Sequence, residues 1–317
     1  MNELSWQPSA TIDSLRQRAH LIAQIRAFFT ERSYLEVDTP AMAHYGVSDP
    51  YLSNIKAVFR NHPYCLQTSP EYHMKRLLAA GSGPIFQLAR VFRDDELGRW
   101  HNPEFTLLEW YQLGINHHEL MDEMDLFLQS ISHSPPMIKK TYQEAFIEAC
   151  DLDPLNASIE QFKQVLGHYD LAKVLDANEQ DRDQYLFLIM SHIVEPFLAQ
   201  QYAPIAIYHF PPSQAALAQV NNGLAERFEI YYKGIELANG FHELIDASAQ
   251  AQRFEQDRIQ RQKLGFNSVD SDPWLLQALE HGVPACSGVA LGVERLLALA
   301  LNKSSISEVM AFDVERA

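Results

Sequence analysis

The run Phe105-Thr-Leu-Leu-Glu-Trp-Tyr111 constrains this chain more than any other segment. As a strand it sets Phe105, Leu107, Glu109 and Tyr111 on one face and Thr106, Leu108 and Trp110 on the other. A second strand candidate, Ile85 to Phe92, ends just before Arg93, and a polar loop joins the two. Paired as a hairpin, the strands let Arg93 share the first face. An arginine, a carboxylate and two aromatics on one sheet face are an odd way to build a core. They suit a pocket for a planar ring, an anionic centre and an amine. An ordinary charged hairpin is the plainer alternative.

Two further segments carry chemistry. Residues 226–241 read as strand, turn, strand, with Lys233-Gly234 at the turn. A two-residue turn there puts Glu236 opposite Tyr231 and Glu229 opposite Ala238, so both carboxylates share a face. Like charges that close are costly without a cation between them, and hard oxygen ligands favour Mg²⁺. A surface hairpin with solvated glutamates is the alternative. Strict alternation sends Asn239 to the opposite face, so Gly240 is expected to mark a bulge or a strand exit. In Ser287-Gly-Val-Ala-Leu-Gly-Val-Glu-Arg295, the residues Gly288, Ala290 and Gly292 alternate with Val289, Leu291 and Val293. One face is thereby stripped of side chains so that something can approach the backbone, and Arg295 opens a helix where it can meet an anion.

Composition narrows what these pieces can belong to. The chain has 317 residues, 47% of them apolar, with 25 Lys plus Arg against 41 Asp plus Glu and a formal charge of −16. That length allows one large or two ordinary domains, and one compact domain is the expectation. So acidic a surface repels phosphate backbones and makes nucleic acid a poor default partner. Cys65, Cys150 and Cys286 form no CxxC pair, which argues against a disulfide framework or a zinc knuckle and suits a reducing cytoplasm. No signal-peptide pattern and no apolar run of about 18 residues is present, so no membrane span is expected. Phosphate loops, dinucleotide fingerprints, GxSxG elbows and HExxH pairs are all missing, so any nucleotide chemistry uses another scaffold. Periodicity predicts helices over 13–33, 70–80, 118–131 and 247–263, an extended segment over 34–40, and a strand entering an apolar helix over 286–301. The proline-punctuated stretch 133–212 reads only as short helices and loops.

Together the three segments resemble the class II aminoacyl-tRNA synthetases. The Pro40 region looks like motif 1, the dimer element; Phe92-Arg93 with His101-Asn-Pro-Glu-Phe105 looks like motif 2; Gly288 to Arg295 looks like motif 3. Within the class, Thr68-Ser-Pro-Glu71 with Met74-Lys-Arg-Leu77, the Glu109 and Tyr111 pair, and Glu236-Leu-Ala-Asn-Gly-Phe-His-Glu243 resemble the lysine site of lysyl-tRNA synthetase. The resemblance implies an α+β fold, an antiparallel sheet flanked by helices, as a single catalytic domain over 1–317 that pairs as a homodimer. It implies that Arg93 bridges the substrate carboxylate and the α-phosphate of ATP. His101, Asn102 and Phe105 would serve the ATP side, with Phe105 stacking on adenine opposite Arg295. Asp94 and Asp95 follow Arg93 where the family reads Arg-x-Glu, and either Asp95 or Glu96 would take the glutamate's part. Glu229 and Glu236 would hold Mg²⁺, and the backbone around Leu237 and Gly292 would approach the nucleotide. Glu71, preceded by Ser69 and Pro70, would bind the amino group near the carboxylate. Glu109, Tyr111, Asn239 and Glu243 would surround the distal ammonium.

Three departures refine the resemblance. Lysyl-tRNA synthetase carries an anticodon-binding β-barrel ahead of its catalytic domain, whereas this chain is expected to start at the catalytic domain. Ser69 stands where the synthetase has Ala, and Ala290 where motif 3 has its middle Gly. Trp100, with Arg99 before it, stands where the synthetase has an Arg directly ahead of HNPEF. The shortened form with Ser69 and Ala290 resembles the elongation factor P–(R)-β-lysine ligase family. That resemblance implies a cytoplasmic enzyme that activates (R)-β-lysine, or lysine, as an adenylate and passes it to a lysine of elongation factor P. The extra hydroxyl and methyl would reshape the pocket at the α-carbon end, although one such group discriminates by only about 1–3 kcal/mol. Two alternatives stay open on sequence: a lysyl-tRNA synthetase-like enzyme acting on tRNA, which the acidic charge disfavours, and a catalytically silent regulatory subunit, which the retained Arg93 and Arg295 disfavour.

Overall fold

The computed structural model describes residues 6–94, 97–267 and 269–317. The chain divides into two compact units, one of Met1–His133 with Glu243–Ala317 and the other Ser134–His242. The fold is α+β, with mostly antiparallel strands flanked by helices. Among the described residues no helix is long and apolar enough to cross a membrane.

In the first unit the Ile85–Phe92 strand pairs antiparallel with Glu104–Leu113, which pairs antiparallel with Cys286–Gly292. The short Leu35–Glu36 strand adds in parallel to Ile85–Phe92. Opposite Tyr111 lie Ile85 and Gly288, opposite Glu109 lie Gln87 and Ala290, and opposite Phe105 lies Val91. One face is therefore packed by helices and the other carries the polar set. On the packed face Trp110, opposite Phe86, is fully buried. The Phe29 ring of the Ile12–Glu31 helix stacks on Phe86 at 4.7 Å and lies 5.1 Å from Trp110, while Phe127 of the His117–Ser132 helix sits 5.5 Å from Trp110. Glu294, buried near the start of the Val293–Ala300 helix, fastens that layer. It accepts from Arg18 Nη2 and from the Thr106 amide, both at 2.9 Å. The segments at the two ends of this unit meet, with the Ser9 and Ala10 amides donating to the Ala311 and Met310 carbonyls at 2.8 and 3.0 Å. A separate three-stranded sheet, in the order Met42–Ala43, His62–Leu66, Lys56–Phe59, completes the unit.

In the second unit Leu224–Tyr232 pairs antiparallel with both Ile235–His242 and Ile205–Phe210, and Ile138–Thr141 runs parallel to Ile205–Phe210. The helices Tyr142–Cys150, Ile159–His168 and Arg182–Ile189 cover it, the last leading through a π-turn at Met190–Val194. They bury Tyr142, Phe146, Phe162 and Tyr185 with Phe210. Two of these helices start on capping boxes, Thr141 with Glu144 and Ser158 with Gln161, which satisfy the amides that a helix start leaves open.

The expected helices appear at Ile12–Glu31, Glu71–Ala79, His117–Ser132 and Ala247–Lys263, with Pro70 as the N-cap of the second. The strand read over Ile85 to Phe92 is found with those bounds. The small sheet within 42–66 and the Pro273–His281 helix were not anticipated. Because Phe29 joins five other rings in the core, Phe29→Ala should lower unfolding stability by about 3–5 kcal/mol in a denaturant titration. Exposed Leu126→Ala, in the same assay, should change it by less than about 0.5 kcal/mol.

Candidate active site

The hairpin register places Arg93, Phe105, Glu109 and Tyr111 on one face of the first unit. The Arg93 amide closes the ladder on the Pro103 carbonyl at 2.9 Å, and its guanidinium carbon lies 5.1 Å from the Phe105 ring centre. Glu109 is 1% exposed. One of its oxygens accepts from Ser69 Oγ at 2.6 Å and the other from Tyr111 Oη at 3.2 Å. Burial pushes its carboxyl up to about 8, with the charge of Glu71 acting the same way; the two hydroxyls and Arg93 oppose this. The Tyr111 phenol is held neutral, raised by burial and then by Glu109, Glu71 and Glu243.

Ser69 also accepts from the Glu71 amide at 3.0 Å, which fixes the entry to the Glu71–Ala79 helix. One turn on, Lys75 is 1% exposed with its Nζ 2.7 Å from Glu71 and 2.6 Å from Glu243. Burial alone would lower the Lys75 ammonium, but Glu243 and Glu71 outweigh it and hold the cation charged. For Glu243, also 1% exposed, burial pushes the carboxyl up to about 7 against the opposing pull of Lys75. Its amide donates to the Cys286 carbonyl at 3.0 Å. The bare strand face beside it has two uses. A Cβ at Gly288 would lie 2.3 Å from Tyr111 and 2.6 Å from Glu243, so what approaches there is this chain's own phenol and carboxylate. At Gly292 the nearest atom would be Arg295 Cδ at 3.5 Å, and no such crowding exists. Ala290, opposite Glu109, packs with Phe105, Ala89, Val91 and Leu107. Ser69 and Glu71 open onto a cleft that Gly46, Asn54, Gln67 and Asp272 also line.

The loop after Arg93 is tied down from elsewhere in the same unit. Arg295 Nε donates to the Trp100 carbonyl at 3.1 Å, and Arg295 Nη2 lies 2.7 Å from His101 Nε2. Asn102 uses both side-chain termini internally, donating to the Glu104 carbonyl at 2.6 Å and accepting from the Val314 amide at 3.0 Å. Arg99 donates to the Ser304 carbonyl, and the Ile306 amide returns to the Arg99 carbonyl at 3.2 Å. Asp94 is exposed; Asp95 and Glu96, the two candidates for the motif 2 carboxylate, lie outside the described residues.

In the second unit the hairpin turns at Lys233-Gly234, and Tyr231 faces Glu236 as expected, but Glu229 faces Asn239 rather than Ala238. The register shifts between Ile230 and Tyr231, with Leu237 as the extra residue on the facing strand. The bulge therefore falls three residues before Gly240, and it turns Asn239 onto the face of Glu229. Arg227 organises that face, donating to Asn239 Oδ1 at 3.1 Å and to the Gln214 carbonyl at 2.7 Å while pairing with Glu229. Tyr231 donates to the other oxygen of Glu229. Glu229 is 8% exposed, Leu237 is buried and Glu236 is exposed. A carboxylate offers about four lone-pair sites, so Arg227 and Tyr231 leave one on each Glu229 oxygen. Glu236, exposed on the facing strand, is a second hard oxygen donor of the kind that Mg²⁺ takes.

Lys75 and Arg227 were both missed by reading the sequence for reactive groups. The signals were present: Glu71 and Lys75 stand at i and i+4 on a helix, and Arg227 and Glu229 at i and i+2 on a strand.

The family model for class II tRNA synthetases (D, K and N) matches residues 4–316. Curated relatives include elongation factor P–(R)-β-lysine ligases of Hamiltonella defensa, 51% identical over 99% of this chain and 98% of the relative, and of Pasteurella multocida, 50% identical over the same shares. A ligase of the same name from Vibrio atlanticus is 49% identical over 98% of this chain and 99% of its own length.

Two outcomes test the buried face. A Glu109 carboxyl raised from 4.5 to about 8 makes the folded state bind the extra proton, so stability from this group is full below about pH 4.5 and lost as pH rises through about 8. The slope is about 1.4 kcal/mol per pH unit, so Glu109→Gln should gain on the wild type in melting temperature between about pH 5 and pH 8. Gly288→Ala should cost about 1–3 kcal/mol by overpacking Tyr111, whereas Gly292→Ala should unfold at the wild-type denaturant midpoint.

Proposed function

We propose that this chain, which belongs to the class II tRNA synthetase family (D, K and N), activates (R)-β-lysine or lysine with ATP and transfers it to a lysine side chain of elongation factor P. The observation that carries the reading is the set of buried Glu109 and Glu243 with half-buried Glu71 around the Ser69 and Tyr111 hydroxyls. A dicationic amino acid needs several carboxylates out of water, and a surface hairpin or an apolar core needs none. The name carried by relatives at about half identity over nearly the whole chain points to the same substrate and acceptor.

In the first half-reaction the amino-acid carboxylate attacks the α-phosphorus of ATP, pyrophosphate leaves and an acyl adenylate forms. Arg93 meets the carboxylate and the α-phosphate, supplying positive charge where negative charge gathers. Phe105 offers its ring to adenine, and Arg295 with His101 holds the loop on the nucleotide side. The backbone at Gly292 serves that side too, with Asn102 positioning the loop. Glu71 takes the amino group near the carboxylate, and Glu109, Tyr111 and Glu243 take the distal ammonium. Glu229 and Glu236 would hold Mg²⁺, which when bound offsets phosphate charge. In the second half-reaction the neutral acceptor amine attacks the acyl carbon, AMP leaves and the amine proton goes to solvent, giving an amide. The Ser69 hydroxyl, fixed on Glu109 and the Glu71 amide, and the Ala290 methyl beside Glu109 support the β-amino preference. The homodimer and the cytoplasmic setting belong to the same reading.

Intact-mass analysis of elongation factor P and of bulk tRNA, after incubation with ATP, Mg²⁺ and each lysine isomer, tests the reading. The expected product is elongation factor P heavier by one lysyl residue, with faster pyrophosphate exchange for the β isomer. A charged tRNA and an unmodified factor would overturn it. Arg93→Ala should lose adenylate formation by about 100-fold or more while melting as the wild type does.

A further inference from the structure

Burying an ammonium is costly unless its partners are close and fixed, and Lys75 is buried to 1% exposure between two carboxylates at 2.7 and 2.6 Å. These partners come from different places: Glu71 from the preceding turn of the same helix, Glu243 from a segment pinned to the Cys286 carbonyl. Of the other groups that face the cluster, Arg93 acts on Glu109 and the rest are neutral or acidic. Burial pushes the Cys286 thiol up to about 12, Tyr111 stays a phenol, and Glu109 is the third carboxyl. Lys75 therefore acts on Glu71 and Glu243, and it occupies none of the oxygens of Glu109, which are held by Ser69 and Tyr111.

We propose that Lys75 is a positioning residue of the amino-acid site: its ammonium fixes Glu71 and Glu243 at one separation and cancels one of their two negative charges, leaving one for the ammonium groups of the amino acid. The inference rests on the function proposed above. A diamino acid whose carboxylate is met by Arg93 brings two ammonium groups: one meets the negative charge that Lys75 leaves, and the other draws the proton off Glu109 to solvent. Without Lys75 the Glu71 and Glu243 carboxylates repel, Glu243 loses the ammonium 2.6 Å from it, and the spacing between Glu71 and Glu243 is no longer fixed.

The test is pyrophosphate exchange by the full chain, with lysine isomers and ATP varied separately. Lys75→Met should raise KM for the amino acid about tenfold or more, while KM for ATP and kcat stay within about threefold. Lys75→Ala leaves a side-chain gap that propylammonium can fill, so propylammonium should lower that KM again and 1-propanol should not. An unchanged amino-acid KM, a loss that falls on kcat or on ATP, or equal rescue by propanol would overturn the assignment. If neither single variant folds, Lys75→Met with Glu243→Leu removes the pair together. Recovery of cooperative unfolding supports the charge-cancelling role, and failure of the double variant overturns it. Wild-type protein that exchanges with neither lysine isomer overturns the proposed function and this inference with it.

Discussion

A carboxylate taken out of water must find hydrogen-bond donors or a cation, and the polar sheet face of the first unit is organised by that requirement. Glu109 has two hydroxyls and no cation in contact, so its proton stays on near neutrality. Glu243 has Lys75, and Lys75 has Glu71. Ser69 links the two arrangements, donating to Glu109 while accepting from the Glu71 amide. Such a face is expensive to hold empty, and the aromatic layer behind it, Phe29, Phe86, Trp110 and Phe127, supplies apolar burial to offset that cost. Strength on one side of the Glu104–Leu113 strand permits strain on the other.

Much of this was legible because a strand has a fixed period. Alternation from Phe105 to Tyr111 assigned both faces, and the pairing of Val91 with Phe105 then carried Arg93 to the polar one. What sequence could not supply was the point where the period breaks. One extra residue at Leu237 moves Asn239 from the far face to that of Glu229, and no local composition marks Leu237 rather than Gly240 as that residue. The helices of 142–198 were obscured by prolines, yet Thr141 with Glu144 and Ser158 with Gln161 are spaced as capping boxes and would have marked two starts. The sheet within 42–66 was hidden for another reason: its strands are short, and Val58 and Phe59 are exposed, so no buried stripe betrays them.

The charges proposed for the site were easier to find than the groups that hold them. Arg93, Glu109 and Arg295 stand out as charges in apolar or glycine-rich runs. Lys75 and Arg227 sit among other charges, and each becomes notable only when its carboxylate neighbours are seen in space. Asn102 shows the converse. Its place in HNPEF suggests a ligand contact, but its side chain is engaged with the Glu104 carbonyl and the Val314 amide, so what it shapes directly is the loop.

That last contact has a consequence for the order in which the molecule can be made. The loop from Arg99 to Asn102 is fastened by Ser304, Ile306 and Val314, some 200 residues later in the sequence. As the chain leaves the ribosome, the 85–113 hairpin can zip long before those fasteners emerge. The loop after Arg93 is therefore set among the last events of synthesis, and a nascent chain has the hairpin before it has the loop fastened.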